Sequence, residues 1–387
     1  MQILDKSACK AVLLTAVLLV TGYGEGFESP TRVPAAMSEK MLMSPLTAVT
    51  SAGARTIAVG QRGHIAVSED GGRSWRQAMV PVSNDLVAVS FADGKNGWAV
   101  GHGGVVLHSR DGGDSWELQL DGQQTSQLVL DYYADPQRGG AVENAQLFID
   151  RENNLLSYGG TQALMAVHFL DASNGFVVGL FNRILRTSDG GKTWEPWEHR
   201  IENPDELHFY SMSADSQALY ITGEQGMVWR MGKGEQHFAA IPTGYTGTLF
   251  GSVSNGRVLV AFGMRGSVFR SIDAGAHWQQ AQSGTSAGIT SGMFLQGDGL
   301  LLGSLSGEMV LSTDGGASFD GVNLKRTMPL FGLLARPDGQ LTLVGAAGVR
   351  HEELSGIAQQ TVGKSAALNV AAERISALQG VNDGRDR

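Results

Sequence analysis

Ser68-Glu69-Asp70-Gly71-Gly72-Arg73-Ser74-Trp75 returns 41 residues later as Ser109-Arg110-Asp111-Gly112-Gly113-Asp114-Ser115-Trp116. Thr187-Ser188-Asp189-Gly190-Gly191-Lys192-Thr193-Trp194 repeats it again. Looser copies are Ser271-Ile272-Asp273-Ala274-Gly275-Ala276-His277-Trp278 and Ser312-Thr313-Asp314-Gly315-Gly316-Ala317-Ser318-Phe319. Each string has the chemistry of a tight turn. The aspartate carboxylate can accept backbone N–H groups two residues on. The glycine supplies a backbone conformation that a hairpin needs and other residues resist. The closing aromatic brings a large apolar surface back to the chain. Asp70, Gly72, Trp75, Asp111, Gly113, Trp116, Asp189, Gly191, Trp194, Asp273, Gly275, Trp278, Asp314, Gly316 and Phe319 therefore read as structural staples, not as catalytic groups.

Working outward, each box is preceded by an apolar run that ends in glycine. Ile57-Ala58-Val59-Gly60 and Trp98-Ala99-Val100-Gly101 are the first two, and the series continues to Gly179, Gly223, Gly263, Gly303 and Gly345. An alternating run precedes each of these, as in Leu86–Phe91, and a short apolar run follows it, as in Val105–His108. Four short strands per unit of about 40 residues is the signature of a β-propeller blade. Seven terminal glycines predict seven blades and an all-β fold. The last repeat has Gly348–Leu354 but no box after it, so residues 31–43 are expected to supply a ring-closing strand.

Composition agrees. There are 53 glycines among 387 residues, about twice the ordinary share, with only 10 prolines. That suits many tight turns, and 42% hydrophobic content argues against disorder. A net charge of −9 makes a poor nucleic-acid ligand. The single cysteine, Cys9, leaves no disulfide and no cysteine-based metal site. No metal spacing appears among the nine histidines, no glycine-rich phosphate loop precedes a helix, and no cofactor is expected.

Residues 1–26 read as a signal peptide, with Lys6 and Lys10 before the apolar run 11–20 and small residues after it. That run is too short to span a bilayer, which takes roughly 20 residues. The expectation is an exported, soluble protein without stable membrane insertion after cleavage, in a periplasm or a thylakoid lumen-like compartment. Residues 27–43 form an N-terminal segment, 44–354 the propeller, and 355–387 a tail. The tail carries Leu368, Ala371, Ala372, Ile375 and Leu378 at helical spacing. An insertion at 117–161 interrupts the ring. Within it Val142, Ala145, Phe148 and Ile149 fall on one helical face, and Asn153-Asn154 reads as the stop.

The boxes resemble the Asp-box, or bacterial neuraminidase repeat. The wider unit, as in Asn96–Gly101 followed by Gly104–Trp116, or Gly175–Gly179 followed by Ile184–Trp194, is similar to the photosystem II stability/assembly factor family. The resemblance covers about residues 44–354 apart from the insertion. It departs at Met231–Phe238, where a box is missing. It implies an exported, non-enzymatic propeller that binds membrane-protein or envelope assembly intermediates. Asp-box propellers also include sialidases, so a sialidase-type glycoside hydrolase or carbohydrate-binding propeller is the alternative. Such enzymes use an arginine cluster and a tyrosine–glutamate pair. Thr31-Arg32-Val33-Pro34 looks superficially like their first arginine string, but no hairpin of the usual form follows it, and repeat geometry brings no Tyr–Glu pair together.

Strand direction alternates within a blade. The first-to-second turns and the boxes therefore share one face of the ring. The second-to-third turns share the other with the crossovers to the next blade. On that crossover face the turns carry Arg62, His102, Arg183, Gln225 and Arg265. Arginine pairs well with carboxylates and is common at interfaces. These five residues, with the 117–161 insertion beside them, are the expected partner-binding surface.

Overall fold

The glycine that ends each second strand is there to make room. In four blades its φ lies within about 25° of ±180°, ordinary extended backbone (Gly60 −171°, Gly101 −174°, Gly223 −156°, Gly263 −176°). A Cβ at Gly101 would stand 2.1 Å from the carbonyl oxygen of Asp85, and one at Gly263 2.2 Å from that of Thr248. The cause is an irregularity in the facing strand, whose register slips between Leu86 and Ala88 and between Leu249 and Gly251. That bulge presses the entering chain onto the glycine.

A computed structural model describes residues 28–353, apart from 296, 325, 337 and 338. The signal segment 1–26 and the tail 355–387, with their expected export and helix, lie outside the described residues. Seven antiparallel sheets occupy 46–77, 86–120, 164–196, 209–240, 249–282, 289–322 and 330–353, here called blades 1 to 7. In each, strand order follows chain order. The first strands of neighbouring blades pack on one another round a closed ring, Leu330–Ala335 of blade 7 meeting Leu46–Ala52 of blade 1. The fold is a seven-bladed β-propeller.

Apolar side chains fill the spaces between blades. Ile57, Val59 and Val67 of blade 1 form one cluster with Leu86, Ala99 and Leu107 of blade 2. The box of blade 2 shows how its turn is fixed. The Ser109 hydroxyl donates to Asp111 and accepts the Gly113 N–H at 2.9 Å. Asp111 takes the Ser115 N–H at 3.0 Å, and Trp116 Nε1–H reaches the Gly113 carbonyl at 3.1 Å. Gly113 has φ +94°, where a side chain would be strained. The serine or threonine and aspartate bonds recur at Asp70, Asp189, Asp273 and Asp314, and the indole bond recurs at Trp75. The tryptophan itself stands just before the outer strand, not within it.

Blade 7 corrects one expectation. Among the described residues it has three strands, and residues 31–43 add none. Pro30–Arg32 and Met41–Met43 are single 3-10 turns. The segment runs along the outer edge of blade 1, where Ala35 N–H donates to the Val80 carbonyl and Ser38 N–H to Gln77 Oε1. Met41 and Leu42 then pack against Val344 and Val349 of blade 7. The seam between first and last blade is thus covered without a shared ladder. Arg336 of blade 7 also donates to the Ala54 carbonyl across it.

The insertion contains two helices, α1 (Gly122–Ala134) and α2 (Ala145–Ser157). It begins later than expected, because Glu117–Leu120 is the outer strand of blade 2. Asp121 caps α1, accepting the Gln124 N–H, while Gln124 returns a bond to the Asp121 backbone. The Asn153-Asn154 pair does not stop α2, which continues to Ser157. Val129, Tyr132, Tyr133, Ala145 and Phe148 give the two helices a small core of their own.

Candidate functional site

The crossover face is built by one backbone device. In blades 1 to 5 the chain makes, after the strand-ending glycine, a tight turn whose second residue is left-handed. Arg62 (φ 55°), Gln225 (φ 53°) and Arg265 (φ 58°) hold this position in blades 1, 4 and 5. Gly103 holds it in blade 2 and Phe181 in blade 3. Left-handed backbone costs a non-glycine residue roughly 1–2 kcal/mol. In return it points the side chain out of the turn. Arg62, Gln225 and Arg265 are exposed, and among the described residues neither guanidinium forms an ion pair. Hydrogen bonds to the crossovers hold the turns: Arg62 N–H donates to Asp85 Oδ1 at 2.8 Å, and Gly226 N–H to the Gly247 carbonyl at 2.7 Å. His102 is exposed too, but it stands one position earlier in its turn than the other three.

Arg183 lies elsewhere than expected. Its turn is aligned with that of blade 1 so that Arg183 falls opposite His64, and both side chains are buried, Arg183 to 1% exposure. Arg183 Nη1 meets Glu198 Oε1 at 2.9 Å, its other terminal nitrogen meets Glu152, and its Nε donates to Gln162 at 2.9 Å. Arg151, beside Glu152 on α2, reaches Glu198 at 3.4 Å and Glu206 at 3.1 Å. Arg183 therefore tethers the insertion to blade 3 and takes no place on the exposed face. The reason is the insertion itself, which covers this turn and brings two carboxylates to it. A buried arginine needs such partners.

The same tether contains a tyrosine–glutamate pair that repeat geometry does not foreshadow. Tyr133 O–H donates to Glu198 Oε2 at 3.3 Å and meets His199 Nδ1 at 3.0 Å. Arg200 Nε–H donates to His199 Nε2 at 3.2 Å, which leaves the proton of a neutral ring on Nδ1. Burial, helped by the Arg200 charge, brings His199 down to about 4. Burial also pushes the Glu198 carboxyl up, against the pull of Arg183 and Arg151, and raises the Tyr133 hydroxyl. Tyr133 and Glu198 are at most 1–2% exposed, and the nearby void of about 10 Å³ has room for roughly one water. A sugar has no path to them. The signal that could have revealed this cluster was the run Arg151-Glu152 inside an amphipathic helix, since adjacent opposite charges there need a covered partner.

Beside the tether, a cleft of about 1140 Å³ opens between Glu28–Arg32, Gly103 and the ends of the insertion at Asp121–Gln123 and Thr161. Arg32 lines it and is the one arginine among the described lining residues. Across the ring, side chains tie the boxes to neighbouring blades, as where Arg55 Nη1–H donates to the carbonyl of Asp111 at 3.0 Å. Blade 4, which has no box, leaves a smaller cleft of about 390 Å³ there, against blade 3. Among the described residues no group of three or more His, Cys, Asp or Glu is placed to hold a metal ion.

Comparison with known proteins follows this geometry. The family model described as photosynthesis system II assembly factor YCF48 matches residues 48–127 and 151–246, on either side of the middle of the insertion. A curated relative, the photosystem II assembly lipoprotein Ycf48 of Synechococcus sp. (strain CC9902), is 29% identical over 118 residues. That alignment covers 29% of this chain, and the chain spans about a third (35%) of the relative's length. Among solved structures, YCF48 bound to D1 peptide superposes with a TM-score of 0.60 at 16% identity, covering 82% of this chain and 95% of that one. YCF48 from Cyanidioschyzon merolae gives 0.58 at 16%, covering 83% and 97%. The WD40 propeller domain of Doa1 gives 0.56 at 8%, covering 83% and 95%, so structural likeness alone speaks only for the fold. The closed ring of seven sheets makes this chain a seven-bladed β-propeller, and its repeats are similar to the photosynthesis system II assembly factor family over residues 48–127 and 151–246.

Proposed function

We propose that this chain is a non-enzymatic assembly or accessory factor that captures a segment of a membrane-protein complex on its crossover face. The observation that carries the reading is the pair Arg62 and Arg265. They occupy equivalent left-handed positions and are exposed, and neither guanidinium forms an ion pair among the described residues. Exposed arginines without an ion pair on a chain of net charge −9 are separate docking points for carboxylates. His102 and Gln225 lie in the matching turns and complete the polar rim. A solved relative is bound to D1 peptide, which supports a polypeptide partner here as well. The apolar leader and the relative's description as a lipoprotein support action on the exported side of a membrane, in a periplasm or lumen. Among the described residues no helix is long and apolar enough to cross a bilayer.

The test is charge reversal. Arg62→Glu with Arg265→Glu should abolish capture of the partner from a detergent-solubilised native membrane fraction while leaving the thermal midpoint in place. Equal capture by the double variant would defeat the interface. The sialidase alternative has the enclosed Tyr133–Glu198 pair against it. Turnover of a fluorogenic sialoside, lost in Tyr133→Phe, would reinstate it.

A further inference from the structure

The repeat departs from its own pattern between blades 3 and 4, and the ring is open there. Elsewhere a box turn seals the gap to the blade before it. Gly113 of blade 2 stands over Ile57 of blade 1, Gly316 of blade 6 over Val260 of blade 5, and Gly72 of blade 1 over Thr342 of blade 7. A Cβ on these glycines would come within 2.9, 3.1 and 3.2 Å of those side chains. Ile57, Val260 and Thr342 each stand three places before a strand-ending glycine, and in blade 3 that place is Phe176. Blade 4 has the octet Met231–Phe238 to set over it, but with Met231, Lys233 and Glu235 where a box has serine, aspartate and its second glycine. The turn is instead a short hairpin at Lys233-Gly234, with Glu235 folded back onto the Gly232 N–H at 2.6 Å.

What remains is the cleft of about 390 Å³ on the box face, the size of a small-molecule site. Phe176, Leu219 and Met231 line its apolar side, with Leu170 beside them at 54% exposure. Its charged groups are Asp171, Asp215 and Glu235 against Arg186 and Lys233. Each carboxylate already accepts bonds from the chain. Asp171 takes the Ser173 and Asn174 N–H groups at 2.7 and 2.8 Å. Asp215 takes those of Gln217 and Ala218 at 2.7 and 3.0 Å, and the hydroxyls of Tyr220 and Ser254. The cations are less well served. Arg186 has one long bond, to Glu195 at 3.4 Å, and lies over the Trp197 ring. The exposed Lys233 ammonium forms no ion pair among the described residues. The hydrogen-bonding capacity left over is therefore mainly donor capacity, beside an apolar wall and on a rim of nearly balanced charge.

We propose that this cleft binds a small, flat, uncharged organic molecule, an aromatic ring system bearing a carbonyl acceptor. Packed sheets lie about 10 Å apart, so a gap between two of them admits a ring more readily than a bulky body. The apolar side takes the ring. Lys233 and Arg186 donate to the carbonyl oxygen. A carboxylate in that place meets the same donors but also Asp171, Asp215 and Glu235. An ammonium meets Arg186 and Lys233 and leaves their N–H groups unanswered. The site lies on the box face, away from the turns proposed above for a polypeptide, and does not depend on that reading.

The probe is 7-methoxycoumarin, titrated against the purified protein and read by saturation-transfer nuclear magnetic resonance. One control, 2-methoxynaphthalene, keeps the shape and lacks the carbonyl. The other, 7-methoxycoumarin-4-acetate, adds a negative charge. Saturable binding of the coumarin is expected, with each control weaker by about fivefold or more. Lys233→Met, at an exposed position, should weaken the coumarin by a similar factor. Restoring the box by Met231→Ser, Lys233→Asp, Glu235→Gly and His237→Ser should close the turn over Phe176 and abolish binding, with a thermal midpoint no lower than that of the unaltered protein. Should that quadruple variant fail to fold, Lys233→Met decides alone. No saturation up to about 1 mM probe overturns the proposal. So does equal binding of 2-methoxynaphthalene, undiminished binding by Lys233→Met, or full binding by a folded box-restored variant. Tighter binding of the acetate overturns it as well, because the cleft would then be an anion site.

Discussion

The two faces of the ring are made from the same seven repeats, yet they obey different rules. On the box face, five turns share one hydrogen-bond pattern, and serine or threonine, aspartate, glycine and an aromatic are required in fixed places. On the crossover face the backbone repeats but the side chain does not. The left-handed position holds Arg62, Gly103, Phe181, Gln225 and Arg265 in turn. Where the side chain folds the turn, it is fixed. Where bonds to the turn's own backbone do so, such as Gly226 N–H to Gly247 O and Arg62 N–H to Asp85 Oδ1, the side chain at the left-handed position is released for other work.

The comparison can be broken at several points. The largest effect is expected where the insertion crosses onto the crossover face. Arg183→Met leaves Glu152 and Glu198 buried with Arg151 as their one remaining cation among the described residues, and should cost about 3 kcal/mol in urea unfolding. Adding Glu198→Gln should restore part of that loss, and no recovery would mean that the tether is not electrostatic. Next comes the strand-ending glycine that both faces share. Gly263→Ala should cost about 1–3 kcal/mol, because its Cβ meets the Thr248 carbonyl. Gly321→Ala, with nothing within 4 Å of the new atom, should change stability by less than about 0.5 kcal/mol.

Acidity gives a third test. Burial lowers both His199 and His168 from 6.5 to about 4. A histidine whose folded value is depressed stabilises the fold above its unfolded value and loses that contribution as protons are added. The thermal midpoint should therefore drop as pH falls from 6.5 towards 4. His199→Gln should flatten the slope in that window, and an unaltered slope would remove His199 from the account. On the box face, Asp111→Ala should cost about 1–2 kcal/mol through the lost Ser115 N–H and hydroxyl bonds. The smallest stability change belongs to Arg62→Glu with Arg265→Glu, within about 0.5 kcal/mol, and it is paired with loss of partner capture. A large destabilisation there would erase the distinction between the two faces.

Much of this was legible in the chain. The step from Asp70 to Asp111 and the seven strand-ending glycines carry the blade number, because a repeat that stacks on copies of itself must keep its length. The alternation of strand direction placed the insertion on the crossover face, where Arg151 and Glu152 now meet Arg183 and Glu198. Legibility failed where a contact depends on a segment outside the repeat. Arg183 looked exposed because nothing in its own turn announces two glutamates, one from α2 and one from beyond the outer strand of blade 3. Tyr133 met Glu198 for the same reason. Residues 31–43 were read as a strand from the need to close the ring. The need is met by side-chain packing of Met41 and Leu42, which no alternation pattern encodes. The crowding at Gly101 comes from a bulge in the opposite strand, which the glycine's own sequence neighbours do not encode.

The left-handed position of the crossover turns has an engineering consequence. Because the side chain at the left-handed position takes no part in closing the loop, blades 1, 4 and 5 already tolerate three long side chains at one geometric station. The ring is thus a set of evenly spaced sockets around an axis. Binding groups can be exchanged at each socket without redesigning the wall behind it, and a library confined to those stations samples new cargo while sparing the scaffold.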